Sequence, residues 1–333
     1  MTKNKLIRSE LIAYLLVSFI AVCTYKILMT THMPNIDALT SAAKGVTEGR
    51  PHWLAFQNRL LGPYAVLAIS TLGLTFKTAW AIYNAVTLQL FCVLFFWILR
   101  REGLTHKDAF TNLIYILFAF LALQHYWFYT WDSIDIIIFT AFAYGILKSL
   151  PTRFFFALFV IGIFNRESAL FIAAYIALNS FTFSQGNIVP KLTKIKNLLL
   201  GSALALLGAL YTKTIRHALF VSKLRDGLPD SEHVLIGNHV YFFSNLKNLF
   251  FQNFTDRNFF ISIFILFTVY YFASRYRRMH DNQIKLFLVS MVMLLNILVF
   301  GLVNESRMHF ILLPFFFLLW FSLTNQFRGG LPK

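Results

Sequence analysis

Apolar runs, several of them about 20 residues long, recur from end to end of this chain with only short polar gaps between them. An uncharged run of that length has one stable home. It crosses a bilayer as a helix, because there each backbone N–H finds its carbonyl within the same segment. The runs fall at 10–29, 78–99, 109–127, 133–149, 154–164, 168–183, 198–215, 259–274, 286–303 and 307–324. The fold expected from them is all-α: a polytopic transmembrane helix bundle of about 10 membrane helices, with 1–333 as a single integral-membrane domain. A composition that is 58% hydrophobic excludes an ordinary soluble domain. The net charge of +16 does not signal nucleic acid, since the basic residues punctuate the gaps between apolar runs and form no basic, aromatic-interleaved patch. Cys23 and Cys92 fall inside expected spans and form no C-x-x-C, so both read as inert thiols. The basic start (Lys3, Lys5, Arg8) before the first run reads as the flank of an uncleaved first helix, because no small-residue cleavage site follows.

Orientation follows from the positive-inside rule. The segment 60–76 is apolar but short and carries Gly62-Pro63, so it is expected as a juxtamembrane or re-entrant helix. The inner side then holds seventeen of the 30 basic residues and only four of the 14 acids, Glu10, Glu102, Asp108 and Asp281. This predicts a multi-pass protein of a cytoplasmic or inner membrane with both termini inside. Two longer loops, about 30–77 and 216–258, lie outside, and the aromatics of the second (Tyr241, Phe242, Phe243, Phe250, Phe251) suit the membrane interface. Within 154–183 the two short helices meet at Asn165, and a re-entrant pair there leaves the remaining topology unchanged.

In this orientation five polar clusters share the outer face: Asn35-Ile36-Asp37, Gln57-Asn58-Arg59, Asp132-Ser133-Ile134-Asp135, Asn165-Arg166-Glu167-Ser168 and Asn304-Glu305-Ser306-Arg307. Each has a plain structural reading beside a functional one. Asp37 sits in the first turn of a short helix expected over 36–44, capped by Asn35 and stopped by Gly45, where the helix dipole stabilises a carboxylate. It is equally the acid nearest the start of the first outer loop and a candidate general base, with Glu48 as the weaker second acid. Asp132 and Asp135 suit the N-cap and third position of the following helix. The preceding Tyr126, Trp127, Tyr129 and Trp131 suit either an aromatic belt or a surface for a sugar ring. Glu167 and Glu305 have capping explanations with Asn165 and Asn304 as caps. Arg166 and Arg307 do not, because a helix start disfavours a cation. Either the neighbouring glutamates or an anionic ligand such as phosphate must offset them, and Arg59 joins the same group. His233 and His239 match no usual zinc spacing, and His125 and His309 read as interfacial. Asn253-Phe254-Thr255 is a sequon that matters only in a eukaryotic secretory setting.

At Asp37, Arg59, Asn165-Arg166-Glu167 and Glu305/Arg307 the sequence resembles GT-C type integral-membrane glycosyltransferases. The resemblance implies an external active site ringed by helices, a catalytic acid in the first outer loop (Asp37) and a polyprenyl-phosphate-linked sugar donor. Arg59, Arg166 and Arg307 would hold the donor phosphate. Asn58, Glu48, Asp132, Asp135, Glu167 and Glu305 complete the expected substrate-binding set. The expected reaction moves a sugar, with inversion, to a cell-surface glycan, lipid or protein acceptor. No cofactor is certain, and a divalent cation (Mg or Mn) stays open because several carboxylates can converge. Two alternatives accompany this reading. One is a polysaccharide polymerase or ligase using a diphosphate-linked oligosaccharide. The other is a transporter or flippase of an anionic lipid-linked solute, for which ionisable residues at mid-membrane and inverted repeats would be expected.

Overall fold

The computed structural model describes residues 3–51, 56, 58–124, 127–184, 187–190, 194–218, 224–225, 228–229, 240–251, 257–301 and 306–324. These residues form an all-α bundle with two short antiparallel hairpins, one pairing β1 (Phe181–Ser184) with β2 (Asn187–Pro190). Helix α1 is Lys3–His32, α2 Ile36–Thr47, α3 Leu61–Ser70, α4 Phe76–Arg101, α5 His106–Leu123, α6 Thr130–Leu147 and α7 Thr152–Asn165. Then come α8 (Leu170–Leu178), α9 (Ile195–Ala218), α10 (Phe242–Phe251), α11 (Arg257–Arg275), α12 (Asp281–Phe300) and α13 (Leu313–Leu323). Among the described residues, six helices are long and apolar enough to cross a membrane, and four shorter apolar helices accompany them. The protein is an integral membrane protein on this composition.

Several boundaries differ from the sequence expectation, each for a local reason. Helix α2 runs past Gly45 to Thr47 and ends where Gly49 turns left-handed at φ 72°. Gly45 serves a different purpose, because its backbone carbonyl accepts from Arg50 N at 2.7 Å and a Cβ there would lie 2.6 Å from Arg50 O. The run 168–183 is not one helix: α8 stops at Leu178 and the chain enters the β1–β2 hairpin. The last run opens as a 3-10 segment, Ser306–Leu312, and becomes α-helical only from Leu313, with Pro314 in the first turn, where its missing N–H costs nothing.

Helix α6 is the axis of the bundle, with 83% of its apolar window buried. Phe142 makes edge contacts with Phe155, Tyr175 and Phe315, drawing α7, α8 and α13 onto it. Lipid tails are as apolar as these side chains, so the gain comes from close interlocking and not from escape from water. The same logic explains the tight α8–α9 contact: a Cβ on Gly201 would lie 2.5 Å from Ala177 N, so only glycine allows the two backbones this approach.

Polar contacts identify the two ends of the bundle. At one end, Asn282 donates to Ser149 Oγ at 2.6 Å and to Leu147 O at 3.2 Å, Phe183 N donates to Asp281, and Lys148 pairs with Glu102 at 2.6 Å. Helix α7 leaves that end and α8 returns to it. With 14 residues α7 is roughly 21 Å long, short of the roughly 30 Å hydrocarbon core. The Asn165–Glu167 turn lies level with the first turns of α6, to which Asn165 is hydrogen-bonded. Helix α3 is only 10 residues long; its start covers the turn, with Leu60 N donating to Phe164 O at 2.9 Å and Gly62 pressed so closely on Thr130 that a Cβ would lie 2.9 Å from it.

Candidate functional site

The Asn165–Glu167 turn gathers polar groups from five segments. Arg166 has an extended backbone (φ −166°, ψ 149°) and is the residue that ends α7. It also stands directly before the 3-10 turn Glu167–Ala169 that leads into α8, so the expected helix start is there, and the C-terminus of α7 behind it supplies a dipole that favours the cation. Nη1 lies 3.3 Å from Asp135 Oδ2 and 3.6 Å from Asp132 Oδ1, and Nη2 donates to Met308 Sδ at 3.4 Å. Asn165 is no cap. Its Nδ2 donates to Asp135 Oδ1 at 2.8 Å and to Trp131 O at 2.9 Å, so it fastens α7 to the first turns of α6.

Asp132 and Asp135 divide the two roles that the sequence left open. Asp132 is the third residue of α6, not its N-cap, and its Oδ2 accepts from Tyr129 N at 3.1 Å. Asp135 lies one turn deeper and caps nothing; its two oxygens are taken by Asn165 and Arg166. Both acids are 1% exposed. Two buried carboxylates and one buried guanidinium are tolerable in an apolar bundle only because each is paired and hydrogen-bonded.

The second half of the network is more open. Glu167 Oε2 accepts from Asn58 Nδ2 at 2.6 Å, Asn58 Oδ1 accepts from Arg216 Nη2 at 3.1 Å, and Arg216 closes the ring at 3.7 Å from Glu167 Oε1. Asn58 is fully buried, whereas the Glu167 and Arg216 side chains are 37% and 27% exposed. Arg59 is buried against aromatic faces, its guanidinium carbon 5.0 Å from the Trp131 ring and 5.2 Å from Phe56. Trp131 stacks on Tyr129 (4.7 Å, 12°), which stacks on Trp127 (6.2 Å, 9°), so alternate residues of the extended approach to α6 form one ladder. Among the described residues, three arginines (Arg59, Arg166, Arg216) meet three carboxylates (Asp132, Asp135, Glu167), and the arrangement is formally neutral.

Of the residues singled out in the sequence, Asn58, Arg59, Asp132, Asp135, Arg166 and Glu167 come together here. Asp37 does not join them: its side chain is 88% exposed and pairs with Lys77 Nζ at 2.7 Å, and Asn35 makes no side-chain cap to α2. Glu48 is likewise an exposed partner of Lys44, at 3.3 Å. Glu305, Asn304, Gln57, His125, Tyr126, His233, His239 and the Asn253 sequon lie outside the described residues, as does the Arg307 side chain. Met308, which follows Arg307, is in contact with Arg166. His309, read as interfacial, is buried at 2% exposure.

Arg216 was not foreseen. It lies at the end of an apolar run, where a lone arginine reads as a flank, and the only hint is Thr212 one turn earlier on the same face of α9. As to a metal, no group of three His, Cys, Asp or Glu able to hold an ion occurs among the described residues, and Asp132 and Asp135 converge on a guanidinium.

No protein-family model, no curated protein and no solved structure matches this chain.

Proposed function

We propose that this protein is a membrane glycosyltransferase that takes its sugar from a polyprenyl-phosphate lipid and passes it to a glycan, lipid or protein acceptor of the cell envelope. The observation that carries the reading is the partly exposed Arg216–Glu167 edge of a network otherwise buried as paired charges. A guanidinium and a carboxylate side by side, reachable at one edge and held by a buried amide, can serve an anionic leaving group and a hydroxyl nucleophile together. Arg216 sits 3.7 Å from Glu167, a separation at which the donor phosphate competes for the guanidinium. Once Arg216 turns to phosphate, Glu167 loses a partner and becomes the base. The acceptor O–H proton passes to Glu167, the acceptor oxygen bonds to the anomeric carbon, and the bond from that carbon to the phosphate oxygen breaks. Polyprenyl phosphate leaves and the anomeric configuration inverts. In this reading Arg59 and Arg166 hold the electrostatic frame, Asp132 and Asp135 position Arg166, and Arg307 completes the phosphate side. Asp37, exposed and paired with Lys77, is assigned to the acceptor side of the outer face.

The test is transfer from a panel of polyprenyl-phosphate sugars by the protein in nanodiscs, comparing wild type, Glu167→Gln and Asp37→Asn. Turnover abolished by Glu167→Gln and retained by Asp37→Asn is the expected result. The reverse pattern returns the base to Asp37. No turnover from any monophosphate donor overturns the reading and favours a diphosphate-linked oligosaccharide as donor.

A further inference from the structure

Hydroxyls without partners border the Arg216–Glu167 edge. Thr212 is 9% exposed, and its Oγ1 has no hydrogen-bond partner in the protein. Ser168 Oγ and Arg216 Nε are likewise buried atoms without a partner. Such groups have given up water and gained nothing in return, which is a standing cost to the fold. For Thr212 that cost is avoidable. Among the described residues, the other buried threonines inside helices, Thr24, Thr40, Thr87 and Thr140, each donate to the carbonyl four residues back. Thr212 leaves this local bond unmade.

Placement links the two hydroxyls to one another. Gly208, Thr212 and Arg216 follow at four-residue spacing on one face of α9. Gly208 packs on Phe159, Ile163 and Leu170, while Arg216 reaches Glu167 at 3.7 Å. Thr212 lies between them and Ser168 lies between Glu167 and Leu170, so the two occupy the same interval where α9 packs on the 3-10 turn Glu167–Ala169. The polar atoms of Trp80, Asn84, Thr130 and Trp131 that lack partners are sealed in residues at 1% exposure or less. Those of Ser168 and Thr212 instead adjoin the partly exposed Glu167 and Arg216.

We propose that the Ser168 and Thr212 hydroxyls, together with the Arg216 guanidinium, hold a phosphate group, each donating to its oxygens. Phosphate as the ligand rests on the glycosyl-transfer reading, whereas the partnerless donors are a property of the fold. Donors that lack acceptors suit a charged group rich in acceptor oxygens, and a hydrogen bond to an anion is stronger than a neutral one. When Arg216 turns from Glu167 to phosphate, the hydroxyls on either side of that pair gain the acceptor they lack.

The test pairs affinity with stability, because a hydroxyl kept for a ligand should lower the first when removed and not the second. Isothermal titration of the full-length protein in detergent uses farnesyl phosphate, inorganic phosphate and farnesol as probes. Wild type is expected to bind farnesyl phosphate. Thr212→Val and Ser168→Ala should each weaken it by roughly tenfold to a hundredfold, the loss of one hydrogen bond to a charged group. Thr212→Ser should keep most of the affinity. Unfolding in SDS, read by maleimide labelling of the buried Cys92 thiol in a Cys23→Ser background, should find Thr212→Val at least as stable as wild type. Competition by inorganic phosphate would show that the site also takes the free anion, and its absence would assign the phosphate to a lipid. Binding of farnesol equal to that of farnesyl phosphate, affinity unchanged in both hydroxyl variants, or no binding of either phosphate overturns the proposal. So does a Thr212→Val protein that loses stability along with affinity. Hydroxyl-dependent phosphate binding without sugar transfer from any donor would remove the glycosyl-transfer reading and leave this site standing. Transfer unaffected by both hydroxyl variants would do the reverse.

Discussion

Replacing Arg166 with Met tests whether the buried charges are held as the geometry implies. The guanidinium lies 3.3 Å from Asp135 and 3.6 Å from Asp132, and both acids are 1% exposed. At an effective dielectric constant near 20, each pair gains about 5 kcal/mol of Coulomb energy, much of it offset by the cost of desolvating the ions. What the variant reads is different: two carboxylates left buried without a cation. Removing one partner of a buried pair costs about 3–5 kcal/mol. The lower part of that range is expected here, because Asn165 still donates to Asp135 and Tyr129 N to Asp132. In a Cys23→Ser background the fully buried Cys92 thiol is a single reporter, so unfolding can be titrated with SDS in mixed micelles and followed by maleimide labelling. Asp135→Asn in the same molecule should recover about 1–3 kcal/mol, since it removes one stranded charge while keeping the contact to Asn165. Lys77→Met, which breaks an exposed pair, sets the scale at about 1 kcal/mol or less. If Arg166→Met were as mild as Lys77→Met, or the double variant simply additive, the buried-triad reasoning would be refuted.

Three further outcomes follow from the packing and can be read with the same reporter. Gly62→Ala should cost about 1–3 kcal/mol because its Cβ meets the Thr130 backbone at 2.9 Å, whereas Gly73→Ala meets nothing within 4 Å and pays only for its φ of +86°, about 1–2 kcal/mol. Gly201→Val should destabilise more than Gly62→Ala, since it strikes Ala177 N at 2.5 Å and Ala173 O at 2.6 Å, both rigid helix backbone. Asp37→Asn should leave the unfolding midpoint within about 1 kcal/mol of wild type, so any loss of transfer activity in that variant would report on function and not on folding.

Much of the site was legible in the sequence because charged residues in apolar runs are expensive wherever they sit. Asn58-Arg59, Asp132/Asp135 and Arg166-Glu167 stood out on that ground alone, and they do meet. Their local roles were misread. Arg166 does precede a helix start, but it also ends α7, and that second position was missed because the chain's turn through an extended residue leaves no compositional trace. Asp37 and Glu48 drew the same attention as the buried acids, yet an exposed carboxylate and a buried one carry the same letter.

By itself the sequence determined where helices form, since the local supply of apolar side chains and the need to satisfy each backbone group within its own segment act residue by residue. It also determined the uneven distribution of charge along the chain, which is a matter of counting. Only the tertiary structure decided which polar groups meet. Asn58 and Glu167 are 109 residues apart, Asn58 and Arg216 158 apart, and whether such pairs touch depends on the depth and rotation of each helix. Those are set by shape at contacts such as Gly62 on Thr130 and Gly201 on Ala177, which no single segment encodes.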